Sequence, residues 1–244
     1  MYLVIWSIPF FTGDDCAIQY AVIIISTICI PNDKRLQKPS YQPCKIFIGW
    51  WFVNTKAKTK VSSASIYFDN STGGDFFGAG PSYNAPCSQD FVWGTADWTI
   101  EMWVYNDIAQ TSNRSLMQCS TVADQGGIQL EWHSATTTLR FYDYTLESSW
   151  DEYARSSSST PVDAWFHMAM VRESGVFTMY IDGTAQTAVA ASSSNAMGSP
   201  TNPQFGLHRS DTGRYMKDSY LDMVRISNTA RYTGNFTSPT TAIS

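Results

Sequence analysis

A chain of 244 residues holds one large β domain or two small domains. Only 15% of its residues are charged, and the formal net charge of −5 divides unevenly: residues 1–60 carry seven Lys/Arg and three Asp (+4), residues 61–244 nine Lys/Arg and eighteen Asp/Glu (−9). So acidic a main portion is unsuited to nucleic acid, which needs a basic surface. A composition rich in Ser, Thr, Tyr, Trp and Phe favours strands over helices.

Residues 1–60 contain three apolar runs, "YLVIWSIPFF", "YAVIIISTICI" and "KIFIGWWFV". Each is shorter than the roughly 20 residues of a membrane-spanning helix. The start lacks the basic residues of a secretory leader. Ile23, Ile24, Ile25 and Ile28 suit a strand. The segment is therefore expected to be an extension of strands or apolar arms, ahead of a polar linker at "NTKAKTK". A membrane or targeting role, or no settled structure, remain alternatives. The main domain is expected over residues 61–244.

From Ser62 the chain reads as short strands separated by Gly/Ser/Asn turns. "SASIYFD" is the first. "WTIEMWVYN" alternates Ile100, Met102 and Val104 against Thr99, Glu101 and Trp103. "GIQLEWHS" sets Ile128, Leu130 and Trp132 against Gln129, Glu131 and His133, and "TLRFYDYT" follows. "AWFHMAMVR" and "VFTMYIDGTAQTA" come next, with Asp182-Gly183 as a tight hairpin turn. "PQFGLHR" and "YLDMVRIS" close the series. This pattern predicts an all-β, two-sheet antiparallel sandwich. Trp165, Phe166, Met168, Met170, Phe177, Met179 and Ile181 are expected to supply much of its core.

Five cysteines are present, without a CxxC pair or a Cys/His cluster at zinc spacing. Cys87 and Cys119 either pair in an oxidising compartment or remain small thiols. Catalysis finds no support in the sequence. Glycoside hydrolysis uses two carboxylates on one face, whereas Glu101 and Glu131 each stand alone and Asp151-Glu152 are adjacent. Gly-x-Ser-x-Gly and P-loop patterns are absent.

Four segments in order, "SASIYFDN", "DFVWGTADWTIEMWVY", "AWFHMAMVRESGVFTMYIDG" and "YLDMVRISNTARYTGNFTSP", resemble the laminin-G-like, concanavalin A-like jelly-roll family, in the version found in structural proteins of tailed bacteriophages. The resemblance covers residues 61–244. It implies two curved antiparallel sheets, a binding site on the concave face or rim loops, and adjacent first and last strands. Asp222 then lies on the last strand, in line with Val224 and Ile226. A carboxylate buried there needs partners: Arg231, Tyr232, Trp165, His167 or amides of the loop after Asp69. With Arg225, Arg231 and Tyr232, Asp222 is read as closing the C-terminal turn onto the sandwich. The alternative is a calcium site with Asp69, as in some relatives; otherwise no cofactor is expected.

On the strand pair 127–134 and 138–145, Gln129, Glu131 and His133 share a face with Arg140, Tyr142 and Tyr144, and Trp150 and Tyr153 follow. Sugars stack on aromatic rings and hydrogen-bond to planar polar groups, so Glu131, His133, Arg140, Tyr142, Tyr144, Trp150 and Tyr153 are the candidate carbohydrate-binding set. The expectation is a non-catalytic binding or adhesion module on a virion surface or outside the cell. Its partners would be a glycan or cell-surface ligand and other virion subunits, in a homo-oligomer or larger assembly. A purely structural virion module and a secreted adhesion domain, for which Asn70, Asn113 and Asn235 offer glycosylation sequons, are the alternatives.

Overall fold

The computed structural model describes residues 2–10, 19–27, 58–62, 65–69, 77–78, 93–119, 128–143, 151–187, 189, 191–192, 203–206, 208 and 213–241, with the backbone alone at 2–10, 19–27, 77–78 and 151. Among them every regular element is a strand. β1 (Tyr2–Phe10) and β2 (Gln19–Thr27) form an antiparallel hairpin, so two of the apolar runs in the front segment are strands.

The remaining strands are β3 (Ile66–Phe68), β4 (Phe77–Gly78), β5 (Trp98–Asn106), β6 (Arg114–Cys119), β7 (Ile128–Trp132), β8 (Leu139–Asp143) and β9 (Asp151–Arg155), followed by β10 (Trp165–Glu173), β11 (Val176–Ile181), β12 (Thr184–Ala185), β13 (Ala191–Ser192), β14 (Gln204–Phe205) and β15 (Ser219–Ser227). Among the described residues they build two antiparallel sheets. One runs β12-β11-β10-β5-β15-β3, with β13 beside β11; the other runs β4-β14-β6-β7-β8-β9. The first is called the closure sheet below, the second the polar sheet. β3 pairs with β15, Tyr67 opposite Tyr220, so the first and last strands of the sandwich adjoin as expected.

The core lies between the sheets, where period-2 alternation delivers one face of each strand. Ile100, Met102, Val104, Phe166, Met168, Met170, Phe177 and Met179 come from the closure sheet, and Ile128, Leu130, Trp132, Leu139 and Phe141 from the polar sheet. Trp98, Phe141 and Phe177 meet with ring centroids 5.6 to 6.2 Å apart. Ile181 is partly buried against this core. Trp165 departs from the expectation. It lies half-buried on the opposite face of β10, beside Tyr105.

Two turns fix the register of β10, β11 and β12. Ser174-Gly175 (φ 49° and 83°) and Asp182-Gly183 (φ 49° and 75°) hold the left-handed conformations of tight hairpins. Gly183 has a second reason to lack a side chain: a Cβ there would sit 1.8 Å from the Phe236 carbonyl oxygen. That close approach marks where the C-terminal segment crosses the sheet. Cys119 is buried in β6. Cys87 lies outside the described residues, as do Tyr144 and Trp150.

Candidate functional site

The outer face of the closure sheet is roofed by the chain itself. Residues after β15 run back across it and pack Ala230, Tyr232 and Phe236 onto Ala169, Val171 and Tyr180. The Tyr232 and Phe236 rings stack at 3.5 Å. Backbone and side-chain bonds fasten the segment: Phe236 N–H to Gly183 O at 2.9 Å, Trp103 Nε1 to Pro239 O at 3.1 Å, and Thr99 Oγ1 to Thr229 O at 2.8 Å.

Beneath this roof lies Glu101, 2% exposed. Arg225 reaches its Oε1 from Nε and Nη2, both at 2.6 Å, and Arg231 Nε stands 3.2 Å from the same oxygen. Tyr232 donates its phenol hydrogen to Oε2 at 2.7 Å, and His167 Nε2 is 3.3 Å from that oxygen. Burial alone would raise the carboxyl's pKa. The hydrogen bonds from His167 and Tyr232, with the Arg225 charge, outweigh it and hold Glu101 below the usual range. The phenol of Tyr232, buried and bonded to that carboxylate, is pushed up to about 12.

Closure chemistry is therefore present, but its carboxylate is Glu101. Arg231, Tyr232 and His167, expected around Asp222, converge on Glu101 instead. Asp222 accepts the backbone N–H groups of Lys60, Val61 and Ser62 on Oδ2 at 2.8, 2.9 and 3.2 Å, and the Ser62 hydroxyl on Oδ1. Nor does it share a face with Val224 and Ile226. Met223 adopts φ 50° at a bulge, so that Asp222 faces Trp103 while Arg225 faces Glu101. The extra residue reverses the parity: Leu221, Val224 and Ile226 enter the core, and Asp222 and Arg225 face outward.

The outer face of the polar sheet is built differently. The register aligns Gln204, Gln118, Gln129, Tyr142 and Glu152 in one row across five strands. Ser115, Glu131, Arg140 and Arg155 form the next. Glu131, Arg140 and Tyr142 are thus brought together as expected. Gln129 Nε2 donates to Glu131 Oε2 at 2.8 Å, Arg140 Nη1 is 3.2 Å from Glu152 and 3.4 Å from the Tyr142 phenol, and Arg155 Nε lies 3.2 Å from Glu152. Arg214 Nη1 stands 3.9 Å from Glu131.

His133 follows the end of β7, with Thr136 Oγ1 at 3.4 Å from its Nδ1. Partial burial, with the Arg140 charge, lowers its pKa. Two expected features differ. Gln129, Glu131 and Tyr142 are buried, which a directly contacting set would not be, and the partly exposed groups are the charged margin of Arg140, Glu152, Arg155 and Arg214. Tyr153 belongs to the core, its ring 4.9 Å from Phe177, because a bulge opposite Phe141 and Tyr142 leaves it as the extra residue of β9. Sequence reasoning missed Gln118, Gln204, Glu152 and Arg214. Strand pairing, not spacing, places the first three on this face, and Arg214 reaches Glu131 from the segment before β15.

Two donors here have no hydrogen-bond partner among the described residues: Arg140 Nε and Ser115 Oγ, both buried. A buried donor is costly to leave unmet. Glu101 beneath the roof, by contrast, is bonded on both oxygens, although His167 Nδ1, Tyr220 Oη and Ser227 Oγ on that sheet also have no hydrogen-bond partner among the described residues.

Two antiparallel sheets with the first and last strands adjoining define a concanavalin A-like sandwich. Residues 77–233 match a laminin-G family profile described as the concanavalin A-like lectin/glucanases superfamily, and the chain belongs to that superfamily. A search of curated proteins gave no match. Among solved structures, the botulinum neurotoxin serotype D binding domain is similar at TM-score 0.52 and 8% identity, over 73% of this chain and 42% of that one. A structure described as the receptor binding domain gives 0.53 and 11%, over 74% and 42%. One described as showing that cell entry of botulinum neurotoxin type C depends upon interaction with two ganglioside molecules gives 0.51 and 10%, over 74% and 44%. The chain thus spans less than half the length of these three. At such identities the likeness is one of fold.

Proposed function

We propose that this chain is a non-catalytic binding module for a glycan or cell-surface ligand, and that the ligand sits on the outer face of the polar sheet. The observation that carries the reading is the row of amides, arginines and carboxylates that strand register brings together on this face, with the partly exposed guanidinium groups of Arg140, Arg155 and Arg214 at its margin. Sugar hydroxyls and carboxylates supply acceptors for the exposed N–H groups of such guanidinium ions. Superfamily membership and the binding-domain names of the similar folds support the same class.

Catalysis is disfavoured by placement. Glu131 and Glu152 stand two strands apart, roughly 10 Å across the sheet, and each carboxylate faces an arginine. Neither is arranged as the close pair of a retaining glycosidase. The setting we propose is a virion surface or another extracellular assembly with further subunits; the four ordered motifs support it.

A glycan array probed with the wild-type chain and with Arg140→Gln tests the binding reading. Retention of defined glycans by the wild type, weakened at least tenfold in the variant, is expected. No retention on the array or on cells would leave the structural module as the better reading. Peptides of the chain in purified particles test the setting.

A further inference from the structure

Four residues along β5 from Glu101, the outer face of the closure sheet changes character. Tyr67, Tyr105, Trp165 and Tyr220 gather there, with ring centroids of neighbouring pairs 4.6 to 6.5 Å apart. Asp107 borders the cluster from the loop after β5, its N–H bonded to Asp218 O at 2.8 Å. The roof of residues 228–241 is fastened at Thr99, Trp103 and Gly183 instead. A different part of the chain covers this patch. The ammonium of Lys58 stands 4.0 Å from the Tyr105 ring centroid and 5.7 Å from that of Tyr220. It also donates to the Tyr105 phenol oxygen at 2.9 Å and to the Asp107 carboxylate.

Each part suits an alkylammonium ion. Two π faces lie within the roughly 6 Å over which a ring attracts a cation. A phenol oxygen and a carboxylate accept two of the three N–H donors. Tyr220 is fully buried, and its hydroxyl has no hydrogen-bond partner among the described residues. The cage is open on one side, since the Lys58 and Asp107 side chains keep 37% and 27% of their surface. Its occupant arrives on a short strap: Ser65 Oγ bonds Lys58 O, and the amides of residues 60–62 bond Asp222.

We propose that Tyr105, Tyr220 and Asp107 form an ammonium-binding site, that Lys58 fills it within the chain, and that a primary alkylammonium group enters it when Lys58 is removed. This site is separate from the polar-sheet face, so it stands or falls independently of glycan binding. A tethered occupant competes at an effective concentration on the order of millimolar or above, so the intact chain is closed to dilute amines.

Full-length Lys58→Ala protein, melted in methylammonium chloride and in sodium chloride of equal ionic strength, tests it. Binding to the folded form raises the melting temperature. A saturable rise specific to methylammonium is expected for Lys58→Ala, with little in the wild type and none in Lys58→Ala/Asp107→Asn. No specific rise in Lys58→Ala, or equal rises in all three proteins, overturns the proposal. A second readout compares Lys58 with itself. Acetylation followed by mass spectrometry should find Lys58 modified several-fold more slowly in the wild type than in Asp107→Asn. Equal rates in the two proteins would show that Asp107 does not hold the ammonium.

Discussion

The two outer faces of this sandwich carry similar residue types and put them to opposite use. On the closure sheet, the buried carboxylates are saturated. Glu101 takes two arginines, a histidine and a phenol, and Asp222 takes three amides and a hydroxyl. On the polar sheet, an arginine and a serine keep donors unmet among the described residues. A polar group whose bonds are all made inside the chain holds the fold. Unmet groups occur on both faces, His167 Nδ1 and Tyr220 Oη on the first among them. The difference therefore lies in the carboxylates: the chain closes those of the first face on both oxygens, whereas Glu131 and Glu152 on the second border unmet donors. The contrast yields a rule that mutation can break: loss from the first face removes stability, loss from the second removes binding.

The largest effect is expected at Glu101. Glu101→Gln leaves Arg225 buried and Arg231 beside it without a counter-charge, and removing one member of a buried pair costs about 3–5 kcal/mol. Chemical denaturation should show a midpoint shift of that size with an unchanged slope. A loss under 1 kcal/mol would mean that the roof holds without its charges, and the contrast would fail at its strongest point.

Asp222 comes next. Asp222→Asn exchanges one acceptor oxygen for an NH₂ group among N–H donors, and hydrogen bonds to a charged group contribute about 1.5–3 kcal/mol, so about 2 kcal/mol should be lost. The same donors argue against a cation at this carboxylate. The wild-type melting temperature should therefore be indifferent to EDTA. A fall on chelation, restored by calcium, would make Asp222 a ligand and move the functional site to this end of the sandwich.

A smaller effect follows from pH. Glu101 is held below its ordinary value of 4.5, so the unfolded chain binds its proton first as pH falls. The hub's contribution is present above about pH 4.5 and declines below it, by at most about 1.4 kcal/mol per pH unit for one proton. Tyr232 behaves oppositely. Raised from 10.0 to about 12, it contributes below pH 10 and loses that contribution toward 12. Glu101→Gln should remove the acid limb and only reduce the alkaline one, because burial, the larger cause of the Tyr232 shift, remains in the variant. Limbs unchanged in the variant would assign them to other groups.

How much of this was legible depended on distance along the chain. The strands were, because alternation is local, and so was the Asp182-Gly183 turn, because φ > 0 asks for such residues. Parity was lost wherever a bulge intervened, and the bulge residues Met223 and Tyr153 carry no glycine-like signal. Glu101 gives no local signal, because its partners lie 66 to 131 positions away. Arg225, Arg231 and Tyr232 read as closure residues from the sequence, but proximity along the chain points to Asp222 as their anchor, and only the sheet pairing reveals Glu101. The polar row across β14, β6, β7, β8 and β9 depends on register, which spacing alone does not give.

The smallest stability effect is expected on the polar sheet, and it tests the rule from its other side. Arg140 is partly exposed, pairs with Glu152 at 3.2 Å and shares that carboxylate with Arg155. Exposed pairs contribute about 0–1 kcal/mol; this one is more sheltered, at 14% and 18% side-chain exposure, but Arg155 remains to hold Glu152 after substitution. Removing Arg140 also removes a buried Nε that has no partner among the described residues, which offsets part of the loss. Arg140→Gln should thus cost roughly 1 kcal/mol, well below Glu101→Gln, while weakening ligand retention at least tenfold. A loss near that of Glu101→Gln would show that Arg140 is structural, its Nε met by groups of this chain. The distinction between the two faces would then disappear.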